Sequence, residues 1–380
     1  MNYFLTEEQK MLRDMVAKFA KDKIAPVAKE NQKEGRFPAE IIKQAGELGL
    51  LGIAYPPEYG GAGMDNVSYM LAIEEISRAC ASTGVIISAH SSLAIGAIHL
   101  FGTEEQKKKY MPDLCSGKEL GCFCLTEAGA GSDSGSIKTT AKLSGDRWIL
   151  NGAKQFITSG KEAEVAIIFA LTDPPAKTRG ISAFIVERQT PGYKIGKIEH
   201  KLGIRASTTA EILLEECAIP KENLLGEVNK GFKIAMASLD GGRIGIASQA
   251  LGIARASIED AVQYAKERVQ FDQPISNFQA IQWMIADMKT EYDAAWLLTY
   301  RAAVLKDRMI PFTTEAAMAK LKASETAMFC AAKAIQIHGG YGYTEDFNVE
   351  RYYRDAKITE IYEGTSEIMR LIIAGQLLKK

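Results

Sequence analysis

Thr126-Glu-Ala-Gly-Ala-Gly131-Ser-Asp-Ser-Gly135, running straight on into Ile137-Lys-Thr-Thr-Ala141, is the stretch on which the fold reading turns. Its three glycines, set among small hydroxyl residues, leave backbone N–H groups free to hold an anion. A dinucleotide fingerprint of the Rossmann type needs a helix opening directly behind such a loop, inside a βαβ unit. Here the following residues are β-branched and strand-like, so that reading is rejected. Whether the loop binds an anion or is a plain surface loop stays open on local pattern alone.

Working outward, Cys122-Phe-Cys-Leu-Thr-Glu127, Arg147-Trp-Ile-Leu-Asn151, Val165-Ala-Ile-Ile-Phe169, Ile181-Ser-Ala-Phe-Ile-Val186 and Ile212-Leu-Leu214 are short runs of β-branched and aromatic residues. Turn signals separate them, among them Ser144-Gly145-Asp146, Asn151-Gly152 and Pro174-Pro175. Successive strands without helices between them predict an antiparallel barrel or sandwich. The residues before this block are helical in pattern. Thr6-Glu-Glu-Gln9 and Thr103-Glu-Glu-Gln106 are both capping boxes, in which Thr caps the helix and Gln reaches back three residues later. After it, Phe232 to Ala265, Ile281 to Leu305 and Thr314 to Ile337 carry helical periodicity long enough for a bundle. The expected fold is α+β and multidomain. It comprises an N-terminal α-helical domain (1–121), a central antiparallel β-barrel-like domain (122–228) and a C-terminal four-helix bundle (229–380).

Composition bounds the function. The 380 residues carry a net charge of -1 with both signs interspersed, which gives no basis for nucleic-acid binding. The first residues, Met1 to Glu8, lack a basic segment followed by an apolar one, and no run of about 18 apolar residues is evident, so a cytoplasmic protein without an integral membrane segment is expected. Six scattered cysteines suit reduced thiols, and four histidines without metal-ligand spacing predict no metal centre.

Beside the glycine loop, four further segments can carry chemistry. Ile361-Tyr-Glu-Gly-Thr-Ser-Glu367 places Glu363 between an aromatic residue and a glycine, ahead of a helix that Thr365 can cap. Ile368, Leu371, Ile372 and Gly375 share one face of that helix. Glu363 is then either a solvated pre-helix carboxylate or a general base on a tight turn. Asp240-Gly-Gly-Arg243 sets an ion pair one helical turn apart, with two glycines that invite close approach. Arg268-Val-Gln-Phe271 and Gln336-Ile-His-Gly-Gly-Tyr-Gly342 each end a helix.

In this order, and over essentially the whole chain, these segments resemble the acyl-CoA dehydrogenase family, and most of all its short-chain, butyryl-CoA type. The resemblance implies a homotetramer with one FAD per subunit between the β domain and the C-terminal helices. It assigns Leu125, Thr126, Gly131 and Ser132 to the flavin-contacting loop, and Phe156, Ile157 and Thr158 to a segment covering one flavin face. Many relatives carry Trp where this chain has Phe156. Arg268, Phe271, Gln279, Gln336, Gly339 and Gly340 correspond to contacts with a neighbouring subunit's FAD, and Thr365 and Glu367 to the last FAD contacts. Ser134, Leu239, Asp240, Arg243, Tyr362 and Gly364 correspond to positions that hold the CoA thioester. Asp272 departs from the pattern, since relatives usually have glycine there.

The resemblance further implies that Glu363 takes the α-proton while flavin N5 accepts the β-hydride, giving a trans-2-enoyl-CoA. The reduced flavin then passes electrons to an electron-transfer flavoprotein. Some branched- and long-chain relatives carry the base immediately before the arginine matched by Arg243; that position is Gly242 here and cannot serve. A branched or alicyclic (cyclohexane-type) acyl-CoA is the alternative substrate, and an acyl-CoA oxidase or a non-catalytic flavoprotein the alternative class. His90-Ser91-Ser92 reads equally as a pocket lining or as a buried helix turn.

Overall fold

The computed structural model describes residues 4–378; Met1, Asn2 and Tyr3, at the head of the segment read for a signal, and Lys379 and Lys380 lie outside the described residues. Helix α1 (Glu7–Phe19) opens on its capping box: the Gln9 N–H donates to Thr6 Oγ1 at 3.2 Å and the Thr6 N–H to Gln9 Oε1 at 3.0 Å. The chain continues through α2 (Ala25–Glu34), α3 (Ala39–Glu47), α4 (Asn66–Ala79), α5 (Ala81–Ser88), α6 (Gly96–Phe101) and α7 (Glu104–Cys115), the last opening on the Thr103 box. A π-helical stretch, Ala89–Ile95, joins α5 to α6. The whole Ala81–Phe101 segment is long and apolar enough to cross a membrane by composition, with a mean hydropathy of 1.6, which corrects the expectation that no such run exists. Its Ser, Ala and Gly residues disguise it in the sequence. Inside the protein 83% of that window is buried, so the segment packs as a core helix.

The β domain contains β1 (Gly121–Cys124), β2 (Thr140–Ser144), β3 (Arg147–Thr158), β4 (Val165–Leu171), β5 (Ile181–Glu187), β6 (Tyr193–Ile198), β7 (Thr209–Pro220) and β8 (Leu224–Leu225). They form one sheet in the order β6-β7-β3-β2-β4-β5-β8, with β1 against β4. Pairing is antiparallel except for β1–β4 and a single-residue β2–β4 contact, which are parallel. Ala166, Ile168 and Ala170 of β4 face an interior shared with Trp148, Leu150, Phe184 and Ile212. Val165, Ile167 and Phe169 face the other way, onto the helical layer around Ile95, Ile98 and Met111. A strand buried on both faces reads as the continuous apolar run seen in the sequence. β6 escaped that reading because, along Tyr193–Ile198, only Tyr193 is buried.

Helix α8 (Gly231–Glu267) begins the C-terminal part, followed by the two-residue ladder β9 (Val269–Gln270) and β10 (Gln273–Pro274), then α9 (Gln279–Asp307), α10 (Thr313–His338), α11 (Val349–Ala356) and α12 (Ser366–Leu377). The small residues of α8 let other elements close in: a Cβ on Gly252 would stand 2.5 Å from Glu74 O of α4 and 2.7 Å from the Arg78 nitrogen. One core therefore runs from Met70 and Leu71 through Ile246 and Ala250 to Trp296, Ala323 and Ala331. Asp355, 2% exposed, ties all three regions together. It accepts from Gln32 Nε2 at 2.7 Å and from the Ile204 N–H at 2.5 Å. On α12 the buried residues are Ser366 and Met369, whereas Leu371 is 68% exposed, so the face read from the sequence is rotated from the one that packs.

Candidate active site

The chain enters the site through a sharp turn between α11 and α12. The Tyr362 N–H donates to Ile358 O at 3.1 Å, then Glu363 and Gly364 both take positive φ, 51° and 99°. Gly364 adopts this freely; Glu363 does so at a cost of order 1–3 kcal/mol, strain of the kind found where a side chain must be aimed. Thr365 then caps α12, its Oγ1 accepting from the Ile368 N–H at 3.3 Å. From α10, the fully buried Lys320 clamps the turn, with Nζ donating to Gly364 O at 2.6 Å.

The turn directs Glu363 onto α8. A Cβ built on Gly242 would overlap Glu363 Oε2 and stand 2.7 Å from Leu93 Cδ2. Oε2 is buried and has no hydrogen-bond partner, and the Nε of Arg243 beside it is likewise buried and unpartnered. Burial pushes the Glu363 carboxyl up to about 7, while Arg243 and Lys320 pull it down. Arg243 is 4% exposed and is held by Asp240, whose other oxygen accepts from Thr313 Oγ1 at 2.6 Å. Tyr362 donates its hydroxyl proton to Gln249 Oε1, and Gln249 Nε2 donates to Ala81 O at 2.9 Å. Unpaired polar atoms in a buried place await a partner. A carboxyl near 7 beside a guanidinium is suited to take a proton at neutral pH.

A second constellation lies in the β domain. The Gln155 N–H donates to Thr126 O at 2.8 Å, joining the glycine loop to β3. Glu127 pins the loop's two limbs: it accepts from Lys154 Nζ at 2.7 Å and from the N–H groups of Lys138 and Thr139 at 2.6 and 3.1 Å. Lys154, 0% exposed, also donates to Leu125 O at 3.2 Å. Where the β3–β7 register slips between Lys154 and Ile157, Phe156 sits at φ 60° and is 60% exposed. Ile157 turns into the β core and Thr158 is half-buried. Gly131 has open space where a Cβ would be, and Ser132 is exposed, with Ser134 half-buried beyond it.

A third group surrounds a cavity of about 490 Å³ lined by Arg268, Gly339, Gly340 and Tyr341, among others. Arg268 lies over the Tyr341 ring at 5.6 Å. Phe271 is 87% exposed, and it and Asp272 both hold positive φ, 52° and 62°. Short Asp side chains tolerate this left-handed region, so Asp272 can hold a conformation that glycine adopts freely. Gln279 and Gln336 are exposed at the ends of α9 and α10, and Glu367 is exposed on α12.

The structure thus brings Glu363, Gly364, Tyr362, Asp240 and Arg243 together, with Leu239 on the same helix, and unites Leu125 and Thr126 with the Phe156 segment. Arg268, Gly339 and Gly340 form a separate cluster. Sequence reasoning missed Lys320, Gln249, Lys154 and Glu127; lysines on otherwise apolar faces (Ala319-Lys320, Ala153-Lys154) were the available signal. His90 resolves as core: its Nε2 bonds Leu114 O at 2.9 Å and its Nδ1 accepts from the Gly121 N–H at 2.9 Å. Among the described residues no group of three His, Cys, Asp or Glu side chains could hold a metal ion.

Comparison with known proteins covers the whole chain. Residues 6–118, 122–217 and 229–378 match the models for the acyl-CoA dehydrogenase N-terminal, middle and C-terminal domains. The short-chain-specific acyl-CoA dehydrogenase of Clostridium acetobutylicum is 51% identical over 379 residues, covering 100% of both chains. Butyryl-CoA dehydrogenase from Megasphaera elsdenii superposes with a TM-score of 0.97 at 46% identity, covering 99% of each chain. A chain from the structure of the electron transferring flavoprotein of Acidaminococcus fermentans superposes with a TM-score of 0.99 at 51% identity over 100% of both chains.

Proposed function

This chain belongs to the acyl-CoA dehydrogenase family, and on that premise we propose that it desaturates a short-chain acyl-CoA thioester between its α and β carbons, with Glu363 as the base. The observation that carries the assignment is the buried, unpartnered Glu363 Oε2 above Gly242, on a carboxyl raised to about 7.

FAD is the cofactor, and the residues fit it. A flat aromatic ring and a diphosphate need an exposed aromatic face and open backbone cradles. Phe156 and Phe271 offer the first; Gly129, Gly131, Gly339 and Gly340, with nothing within 4 Å of a built Cβ, offer the second. Leu125, Thr126, Gly131, Ser132, Phe156, Ile157 and Thr158 would hold the flavin end, with Thr365 and Glu367. Arg268, Phe271, Gln279, Gln336, Gly339 and Gly340 would hold the FAD of a neighbouring subunit in a homotetramer, where a guanidinium pairs well with phosphate. When bound, FAD supplies the two-electron acceptor for the hydride leaving the β carbon.

The chain's own residues do the rest. Glu363 takes the α-proton, and its raised pKa brings it closer to the weakly acidic C–H than an ordinary carboxylate. Its backbone N–H, engaged in no turn hydrogen bond, is available to the thioester carbonyl, where negative charge develops. Asp240 orients Arg243, and these two with Ser134, Leu239, Tyr362 and Gly364 position the thioester. The turn's positive φ angles hold the carboxylate over α8 before substrate arrives, so little reorganisation is left for the reaction. An electron-transfer flavoprotein as electron acceptor, and a cytoplasmic location, belong to the same proposal; the match to the Acidaminococcus chain supports the first.

The test is anaerobic flavin bleaching with straight, branched and cyclic acyl-CoAs. Butyryl-CoA is expected to bleach fastest. Faster bleaching by a branched or alicyclic thioester would move the assignment to that class, and no bleaching by any would overturn it.

A further inference from the structure

Among the described residues two lysines are fully buried, and one of them, Lys320, reaches the turn that carries the base. It comes from the middle of α10 and donates from Nζ to Gly364 O at 2.6 Å, the carbonyl directly after Glu363. We infer that Lys320 is the positioning residue of the base: its ammonium both anchors the left-handed Glu363-Gly364 turn and favours the ionised form of the Glu363 carboxylate against its burial. This rests on Glu363 being the base, as proposed above.

The geometry argues for both parts. Glu363 at φ 51° and Gly364 at φ 99° form a turn that does not persist without restraint from its surroundings. The ordinary restraints are few: the Ile358 carbonyl on one side and the Thr365 cap on the other. Lys320 supplies the tertiary one, fixing the peptide that joins base to cap. It also brings a charge. Burial pushes the ammonium down, to about 8, yet Glu363 pulls it back up, and an amine near 8 is still largely charged at neutral pH. From the other side, Lys320 and Arg243 are the two groups that lower Glu363 against its burial. Arg243 already shares its charge with Asp240, whereas Lys320 has no carboxylate bonded to it.

Other groups face this pair. Tyr69 on α4 and Tyr362 both feel the Glu363 charge. Glu360 before the turn and Glu367 on α12 act on Lys320, and Lys306 on α9 would stand 3.1 Å from a Cβ on Gly241. None of them bonds the turn carbonyl.

The experiment measures Lys320→Gln and Lys320→Arg beside the wild type and Glu363→Gln. The readouts are the bleaching rate with butyryl-CoA across about pH 5 to 9 and the infrared carboxyl band of Glu363 in the substrate-free, FAD-loaded enzyme. In Lys320→Gln the amide can still reach toward Gly364 O but the charge is gone. Its acid limb and its carboxyl titration should both move up by about one pH unit, a loss of about 10-fold at pH 6 that shrinks at high pH. Lys320→Arg keeps the charge and should restore the wild-type midpoint. An unshifted limb and band in Lys320→Gln would overturn the inference. If that variant does not fold, Lys320→Arg decides: a wild-type midpoint supports the role of the charge, and a midpoint displaced upward like that expected for Gln overturns it. Turnover by Glu363→Gln would instead sink the base assignment itself, so the two failures are distinct.

Discussion

Glu363 Oε2 occupies the space in which a side chain on Gly242 would have to begin. The two positions compete for one volume beside the substrate, so a base can come from the turn only if the helix position is bare. The glycine costs about 1 kcal/mol of helix propensity. In return, α8 offers backbone against which a carboxylate can lie.

Gly242→Ala tests that competition. The new methyl would collide with Glu363 Oε2 and crowd Leu93 Cδ2 at 2.7 Å. Overpacking of this kind costs about 1–3 kcal/mol. Bleaching by butyryl-CoA should fall by about 10-fold or more, since small misplacements of a base are expensive. A folded alanine variant with wild-type turnover would show that the contact is incidental.

Glu363 also couples activity to stability with a definite sign. Its folded pKa, about 7, lies above the ordinary 4.5, so between those values the folded state keeps a proton that the unfolded state has lost. Rising pH therefore erodes stability through this window, by on the order of 3 kcal/mol once the group is fully ionised. Glu363→Gln should melt higher than the wild type near pH 8, with the gap closing near pH 5. Thermal melts at both values check it; equal melting temperatures throughout would contradict the raised pKa.

Lys154 should prove as necessary to the cofactor loop as any residue touching FAD. In Lys154→Met, Glu127 keeps two backbone donors but loses its only buried cation. Stranding one partner of such a pair costs about 3–5 kcal/mol. A lower denaturant midpoint and a reduced flavin-to-protein absorbance ratio after gel filtration are expected. Full flavin retention with unchanged stability would speak against this role of the pair.

Asp272 makes the opposite prediction. Exposed and at φ 62°, it does a glycine's conformational work. Asp272→Gly should leave stability within about 1 kcal/mol and flavin affinity equal or higher, because a carboxylate is removed from the neighbourhood of Arg268. Weaker FAD binding in that variant would mean that the Asp272 side chain contributes directly.

These cases show what the chain discloses as text. The long helices α8, α9 and α10 were legible because their small and apolar residues repeat over many turns, and the capping boxes at Thr6 and Thr103 mark the starts of the shorter α1 and α7 by local chemistry alone. β4 and β5 were legible because burial on both faces makes the run continuous. β6 was not, since a strand with one buried residue has no pattern to read. The α12 face failed for a related reason: with Met369 inward and Leu371 outward, apolar residues lie on both sides of a short helix. Glu363 and Arg243 stood out in local motifs, but their roles came only from the resemblance of the whole chain. Lys320 did not stand out, because its partner, Gly364, lies 44 residues away and the contact is to a backbone carbonyl. Lys154 and Glu127, 27 residues apart, were hidden in the same way.

The most direct test of the central claim is the anaerobic reaction of FAD-loaded Glu363→Gln with butyryl-CoA, followed by flavin absorbance against the wild type. Removing the base while keeping the turn should leave the flavin spectrum and thioester binding intact but slow bleaching by about 1,000-fold or more. Bleaching at a near-wild-type rate would contradict the account, because the proton would then be leaving to some other group.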